Sequence, residues 1–211
     1  MTAPLYAIAD AEALAPRSLP EAVVEIAAGG IRWIQLRAKR FSGAAWYRAV
    51  EDCVRALENS GVELWVDDRA DLAALFPVAG VHLGQADLPP AAARRVVGPG
   101  VRIGLSTHDR EQLAAADADP EVDVVAVGPV FPTASKERPD PVVGLAFVAA
   151  ARRGTAKPLV AIGGIDAGNV AEVLAAGADA AAVLGAVCRG DIRANCRRLL
   201  AAAVESGCAS S

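Results

Sequence analysis

Short apolar runs and Ala-rich windows alternate along the whole chain. The apolar runs are continuous, which is typical of strands buried on both faces of a parallel sheet. They predict eight strands: Leu5–Ile8, Arg32–Leu36, Glu63–Val66, Gly80–Leu83, Arg102–Leu105, Val122–Val127, Leu159–Ile162 and Ala180–Leu184. The other windows predict eight helices: Leu19–Ala28, Gly43–Ser60, Arg69–Phe76, Pro89–Val97, Asp109–Ala116, Gly144–Arg153, Asn169–Ala176 and Ile192–Val204. The order indicates repeated strand–helix units.

The junctions between these units repeat a glycine signal. The stretches AAGGIRWIQL, PVAGVHLG and AAGADAAAVLG each run from a helix end through glycine into a strand, and glycine readily adopts the left-handed conformation that ends a helix. Eight units in 211 residues predict a single-domain (β/α)8 barrel, a TIM barrel, over residues 1–211. A doubly wound open sheet is the alternative, but the first strand is followed by ADAEALAP, which lacks the glycine-rich loop usual there.

Composition and charge narrow the class of protein and its partners. Hydrophobic residues make up 54% of the chain and charged residues 22%, which excludes a disordered chain. The net charge is −4, and no basic stripe stands out. A nucleic acid or an anionic membrane surface is therefore not expected as the main partner. Any anion site must come from a local concentration of cations.

The sequence shows no clear secretion signal, membrane-spanning segment or metal-binding cysteine motif. The N-terminal stretch MTAPLYAIADAEAL lacks the basic and apolar parts of a signal peptide, and no apolar run reaches the ~20 residues of a membrane helix. The four cysteines, Cys53, Cys188, Cys196 and Cys208, match no zinc spacing and are expected to be reduced thiols. These features predict a cytoplasmic protein and leave monomer and homodimer both open.

Polar residues and glycines gather immediately after the predicted strands. In a (β/α)8 barrel the C-terminal ends of the strands form the active face. Gln35, Arg37 and Lys39 follow the second strand, and alternation places them on one side. The later strand ends are followed by Asp67, Asp68, Asp87, Ser106, Thr133, Ser135, Lys136, Gly163, Gly164 and Gly185. We therefore expect a single polar mouth at one end of the barrel.

The last three strand ends predict a monophosphate site. Gly163–Gly164 and Gly185 offer bare backbone N–H groups after the seventh and eighth strands, where barrels of this type commonly hold a phosphate. Thr133 and Ser135 add hydroxyl donors on a proline-rich loop after the sixth strand. The glycine pair also fits a simple tight turn, so the backbone alone does not decide its role.

The earlier strand ends predict a second, larger anion. Arg37, Lys39 and Lys136 carry more positive charge than one monophosphate needs. Asp68 and Asp87 are hard oxygen ligands of the kind that Mg²⁺ uses when it binds phosphates. Together these residues predict a diphosphate held with Mg²⁺. Asp87 is also placed to cap the fourth predicted barrel helix, and Lys136 stands in the charge run Lys136 to Arg138, so both retain a structural alternative.

Seven blocks resemble, in order and spacing, the thiamine phosphate synthase family: QLRAK, VDDRADLA, GVHLGQADLP, IGLSTHD, GPVFPTASK, VAIGGI and AGADAAAVLGAV. The resemblance implies an Mg²⁺-dependent transferase of thiamine biosynthesis. Such an enzyme joins an aminopyrimidine methyl diphosphate to a thiazole phosphate and releases diphosphate. It also implies a dissociative displacement, in which a pyrimidine methylene cation forms as diphosphate departs and no protein nucleophile is needed. No convincing Cys/His or Ser/His arrangement stands out in the sequence.

The resemblance also implies roles for individual residues. The pyrimidine diphosphate would be held by Gln35, Leu36, Arg37, Ala38, Lys39, Asp67, Ser106 and Lys136. The thiazole phosphate would be held by Thr133, Ala134, Ser135, Gly164, Leu184 and Gly185. Asp68 and Asp87 would be the metal ligands. Catalysis itself would rest on Arg37, Lys39, Ser106 and Lys136.

Three positions depart from the family pattern. Asp67 stands where the family usually has asparagine, Ser135 where it has threonine, and Gly185 where it has serine. A further carboxylate beside a diphosphate is unfavourable unless it binds metal or turns away, whereas the glycine removes one side-chain hydrogen bond. His82 and His108 are interpreted as a barrel-interior residue and a helix-start residue.

Three rival functions stay open at this point. A related thiazole tautomerase uses the same barrel but carries histidine where this chain has Pro129, and it tends to lack the full diphosphate set. A non-catalytic barrel could bind phosphates of the pathway as a sensor. An enzyme acting on a phosphoribosyl compound would account for the last two strand ends but not for the pair Asp68 and Asp87.

Overall fold

The computed structural model describes residues 4–133 and 141–205. Its strands are β1 (Leu5–Asp10), β2 (Trp33–Arg37), β3 (Glu63–Asp67), β4 (Gly80–Leu83), β5 (Arg102–Thr107), β6 (Val124–Val127), β7 (Leu159–Ile162) and β8 (Ala180–Val183). Every strand pairs in parallel with the next, and β8 closes on β1. The predicted (β/α)8 barrel is confirmed, and the open sheet is excluded because a closed barrel has no edge strand.

Helices connect the strands and surround the barrel. The described residues form α1 (Ala11–Leu14), α2 (Leu19–Ala28), α3 (Gly43–Ala56), α4 (Ala70–Leu75), α5 (Pro90–Val97), α6 (Arg110–Ala118), α7 (Gly144–Gly154), α8 (Val170–Ala175), α9 (Gly185–Cys188) and α10 (Ile192–Glu205). The eight predicted helices are all present. The sequence did not predict α1 and α9, because a single helical turn is too short to show a periodic pattern. No described helix has the length and apolar character to cross a membrane.

The first strand runs two residues further than predicted. Its ladder with β2 continues to the pair Asp10 and Arg37, so a polar residue ends a strand that the apolar pattern placed at Ile8. The second predicted helix, Gly43–Ser60, in contrast, stops early at Ala56. Leu57 is its C-cap, and the polar residues Glu58 to Ser60 follow, with Asn59 at a left-handed φ of 58°. Both differences reflect polar residues whose hydrogen bonding, not their hydropathy, sets the boundary.

The core has two parts, divided by the wall of the barrel. Outward-facing strand residues such as Ile34 and Leu36 pack against the helices. Inside the barrel a smaller group is built round Tyr6, Trp33 and Trp65, all nearly inaccessible to solvent. Because all strands are parallel, their C-terminal ends share one mouth, directly above this aromatic floor.

Candidate active site

Strand alternation decides which part of the segment 35–39 faces the mouth. Gln35 lies on the interior face with Trp33 and is buried, and Arg37 follows it two residues later. Leu36 and Ala38 belong to the outer core against the helices. Their side chains are therefore occupied by packing, and only their backbone groups are available to a ligand. This sorting is the one that the alternation of a strand predicts.

A chain of ion pairs runs across the mouth. The Arg37 guanidinium pairs with Asp10, and its Nε lies 3.6 Å from Oδ2 of Asp67. Lys39 Nζ lies 3.0 Å from the same Asp67 oxygen and also pairs with Asp68. Three carboxylates from β1 and the end of β3 therefore pair with the two cations at and just beyond the end of β2. The sequence analysis missed Asp10, although a carboxylate at the end of the first strand was a visible signal.

Asp67 is drawn inward by these cations. Asp67 is 9% exposed. This burial raises the pKa of its carboxyl to about 6, although the nearby Lys39 ammonium lowers the pKa. The sequence analysis expected this carboxylate either to bind metal or to turn away from the diphosphate, but the structure shows it beside two cations. Asp67 occupies the space between Lys39 and Arg37.

Asp68 and Asp87 lie beside one another. Burial raises the pKa of the Asp87 carboxyl, while its hydrogen bond from Gly84 lowers it and the nearby carboxyl of Asp68, within hydrogen-bonding reach, raises it again. Asp87 Oδ2 accepts from the Gly84 N–H at 2.7 Å. Asp68 sits in the left-handed region with φ 60°, a conformation that costs a non-glycine residue free energy and is concentrated at functional sites. The end of β3 thus turns this side chain toward Asp87.

The alternative role of Asp87 as a helix cap is wrong. Helix α5 begins at Pro90, its N-cap is Pro89, and no side chain caps it. The Asp87 carboxylate instead closes the turn from Gly84, whose N–H donates to Oδ2. Within residues 4–133 and 141–205, no three His, Cys, Asp or Glu side chains are grouped tightly enough to hold a metal unaided. Two adjacent carboxylates nevertheless suit Mg²⁺, which takes one or two carboxylates and completes its shell with phosphate and water.

Ser106 is held from two directions at the end of β5. Its Oγ lies 2.9 Å from Nε2 of His82, and its carbonyl accepts from Gln85 Nε2 at 2.7 Å. The carbonyl of His82 in turn accepts from the Asp68 N–H at 2.8 Å. His82 is therefore a barrel-interior residue, as expected. The sequence did not show this contact, because neighbouring strands bring together two residues that lie 24 positions apart.

His108 joins the loops that follow β5 and β6. Its Nδ1 lies 2.6 Å from the Gly128 carbonyl, and its backbone N–H donates to Gln112 Oε1. It immediately precedes Asp109, which caps α6 by accepting from the Gln112 N–H. The interpretation of His108 as a helix-start residue is confirmed, and it additionally ties this start to the strand end of β6.

The Gly163–Gly164 pair seats the segment that follows β6. Gly164 has φ 66°, and a Cβ there would lie 2.6 Å from the Pro132 carbonyl oxygen. The Phe131 N–H donates to the Gly163 carbonyl at 3.0 Å. The pair is therefore more than a tight turn, since the backbone of the neighbouring loop passes where side chains would be. Thr133 closes the described part of that loop and is half-buried; Ala134, Ser135 and Lys136 lie outside the described residues.

The end of β8 leads directly into α9. Leu184 is the N-cap and Gly185 the first helical residue, and a Cβ added at Gly185 would meet no atom within 4 Å. Gly185 also lines a cavity of about 430 Å³ together with the loop after β7 and helix α10. Open space and backbone N–H groups are therefore present where the sequence predicted a phosphate.

The chain is similar to known proteins of one family over most of its length. The thiamine monophosphate synthase family matches residues 5–187. A thiamine-phosphate synthase of Koribacter versatilis is 47% identical over 184 residues, covering 85% of this chain and 86% of that protein. One of Methanoculleus marisnigri is 41% identical over 196 residues, covering 92% of each. The structure of thiamine phosphate pyrophosphorylase from Pyrococcus furiosus superposes with a TM-score of 0.86 at 32% identity, covering 96% of both chains. The chain belongs to the thiamine monophosphate synthase family.

Proposed function

We propose that this protein condenses 4-amino-2-methyl-5-(diphosphooxymethyl)pyrimidine with a thiazole phosphate, giving thiamine phosphate and diphosphate. The observation that carries the proposal is the meeting of Arg37 and Lys39 with Asp68 and Asp87 at one mouth of the barrel. Cations and a carboxylate pair at one place are what a diphosphate with its metal requires. The names of the relatives point to the same reaction.

The cations and Ser106 act on the leaving group. Arg37 and Lys39 neutralise the negative charge that grows on diphosphate as the C–O bond breaks, and Lys136 is proposed to join them. Ser106 donates its hydroxyl proton to a diphosphate oxygen when His82 donates Nε2–H to its Oγ. That tautomer leaves the hydroxyl proton free, so the 2.9 Å contact orients a donor. Gln35, at the interior face of β2, is proposed to contact the pyrimidine substrate.

Asp68 and Asp87 are the proposed ligands of Mg²⁺, which when bound supplies positive charge to the diphosphate. Two carboxylates about 4 Å apart repel by about 4 kcal/mol at an effective dielectric near 20. The raised pKa of Asp87 is in part this repulsion. A divalent cation held by Asp68 and Asp87 would remove this repulsion, which supports their proposed role as metal ligands.

The thiazole phosphate is proposed to bind between the ends of β6, β7 and β8. Gly164, Leu184 and Gly185 offer backbone N–H groups, and Thr133 offers a hydroxyl, with Ala134 and Ser135 proposed to continue this surface. The thiazole nitrogen then lies between the two anion sites and faces the pyrimidine methylene carbon. Orientation of this kind replaces a bimolecular encounter with one between held reactants.

No thiol competes as a nucleophile in the described part of the chain. Burial raises the pKa of Cys188 to about 11 and that of Cys196 to about 12, and it raises the pKa of Cys53 still further. All three thiols are therefore protonated near neutral pH and inert. The displacement is accordingly proposed to be dissociative, with a pyrimidine methylene cation captured by the thiazole nitrogen.

The proposed function is tested by incubating the protein with both substrates and Mg²⁺ and measuring diphosphate and thiamine phosphate, with and without EDTA. We expect stoichiometric release of both products and its loss on chelation. A tautomerase would release no diphosphate, and a sensor would bind either substrate tightly without turnover. Either of those results overturns the proposal.

Asp67→Asn is expected to leave kcat/KM unchanged or to raise it. The substitution removes a buried negative charge that lies 3.0 Å from Lys39 Nζ, so the cation becomes free to pair with diphosphate. Steady-state kinetics with varied pyrimidine diphosphate measure the effect. The matched control is Asp71→Asn, which breaks the exposed pair with Arg69 on α4. A loss of about tenfold or more, equal to 1.4 kcal/mol, would identify Asp67 as a ligand instead.

Gly185→Ser is expected to tighten binding of the thiazole phosphate. The site has open space for the side chain, and a hydroxyl hydrogen bond to a charged phosphate contributes about 1.5–3 kcal/mol. Calorimetric titration of each variant with the thiazole phosphate measures the dissociation constant. Gly43→Ser at the start of α3, where the space is equally open, is the control. An unchanged dissociation constant would show that a hydroxyl is idle there.

A further inference from the structure

A single helical turn after β1 contacts the basic segment after β2. Asp10 ends β1 and caps this turn, because its Oδ1 accepts from the Ala13 N–H at 2.8 Å. Its other oxygen, Oδ2, accepts from Arg37 Nη1, the residue opposite it in the strand ladder. Two residues on, Glu12 Oε1 accepts from the Arg40 N–H at 3.2 Å. The β1–α1 corner therefore contacts the segment 37–40 at both of its ends.

These contacts restrict how Arg37 is presented. Asp10 is 3% exposed and is itself fixed by its cap to α1. Asp67 lies on the Nε side of the same guanidinium, 3.6 Å away. At this distance Asp67 forms no hydrogen bond with Nε, and among the described residues Nη2 has no hydrogen-bond or ion-pair partner, so Asp10 is the group that fixes the guanidinium.

Electrostatic repulsion alone would disfavour a carboxylate at position 10, beside the proposed diphosphate site. A negative charge next to a diphosphate site weakens the attraction between the cations and the anion. The carboxylate is compatible with tight binding only if fixing the guanidinium contributes more than the charge removes. If removing the Asp10 carboxylate weakens diphosphate binding, the carboxylate orients Arg37. If its removal tightens binding, the carboxylate only neutralises Arg37.

We propose that Asp10 and Glu12 are positioning residues, which orient Arg37 and fix the backbone at Arg40 for the departing diphosphate. Asp10 sets the plane of the guanidinium, and Glu12 sets the path of the chain beyond Lys39. This inference rests on the proposed function, and it assigns a role to a helical turn that the sequence pattern does not predict.

Asp10→Asn tests the role of Asp10, because asparagine can still accept from the Ala13 N–H and cap α1 while the charge facing Arg37 is lost. The dissociation constant of inorganic diphosphate with Mg²⁺ is measured by calorimetry. We expect it to rise about tenfold, the usual size of losing a group that orients a ligand. The KM for the pyrimidine diphosphate should rise in parallel, whereas the KM for the thiazole phosphate stays constant. Glu12→Ala should act in the same direction, and Glu25→Gln, in the outer pair with Arg193, should change nothing.

The outcomes are distinct. Unchanged or tighter diphosphate binding by Asp10→Asn overturns the inference, because it shows that the carboxylate only neutralises Arg37. An equal loss for both substrates with a lower unfolding temperature also overturns it, because it shows a merely structural role. Failure of the wild-type protein to release diphosphate overturns the proposed function instead, and calorimetry with diphosphate alone still decides the role of Asp10.

Discussion

Asp87→Asn is expected to lower kcat/KM for thiamine phosphate formation by at least about a hundredfold, the size seen when one group stabilising transition-state charge is removed. The amide keeps an oxygen that can accept from the Gly84 N–H, at present 2.7 Å from Oδ2. The local turn is therefore preserved while the charge facing Mg²⁺ is lost. The variant should also lose most of its dependence on Mg²⁺ concentration.

Thermal unfolding without metal provides the internal control for this variant. Asp68 and Asp87 repel one another, and this repulsion contributes to the raised pKa of Asp87. Removing one charge should therefore leave the metal-free unfolding temperature unchanged or raise it, while abolishing the increase caused by Mg²⁺. Full activity with an intact Mg²⁺-induced increase would show that Asp87 holds no metal.

Gly164→Ala is expected to lower kcat/KM for the thiazole phosphate by about a hundredfold, because a displacement of about 1 Å at a positioned group can have that effect. A Cβ at this position would lie 2.6 Å from the Pro132 carbonyl oxygen and 2.7 Å from Phe131 Cβ. The loop after β6, which carries Thr133, must therefore shift. The loss should be in the KM for the thiazole phosphate, with binding of inorganic diphosphate and Mg²⁺ unchanged.

Gly61→Ala separates backbone strain from displacement of the loop. Gly61 has φ 71°, close to the 66° of Gly164, but a Cβ there meets no atom within 4 Å. It precedes β3, at the end of the barrel opposite the mouth. Both substitutions cost about 1–2 kcal/mol of backbone strain, but only Gly164→Ala moves the loop. Equal kinetic effects of the two variants would contradict the proposed phosphate site.

Several features of the site were predictable because they depend on local order along the chain. Gln35 and Arg37 share one face because strand side chains alternate, and the polar residues follow the strands because active sites form there. The same alternation explains why the side chains of Leu36 and Ala38 lie in the outer core, although the family motif includes both residues in the binding segment. A sequence motif includes consecutive residues, whereas in a strand every second side chain packs in the outer core and leaves only its backbone for a ligand.

Other features could not be predicted from local order. Asp10 meets Arg37, and His82 meets Ser106, because neighbouring strands pair in one register. The start of α5 at Pro90, with Pro89 as its N-cap, excludes Asp87 as a helix cap, which its position in the sequence had left open. The contacts of Asp10 with Arg37 and of His82 with Ser106 join residues from different units, so no window of sequence contains both partners.

The sequence by itself determined the strand–helix repeat, the fold class and the set of polar residues at the strand ends, because hydrophobic periodicity and chain order are local properties. Only the tertiary structure decided the pairing of charges: Asp67 with Lys39, Asp68 with Asp87, and Asp10 with Arg37. The physical reason is that electrostatic and hydrogen-bond energies fall off over a few ångströms. They depend on the register and closure of the barrel, which bring distant segments to one mouth.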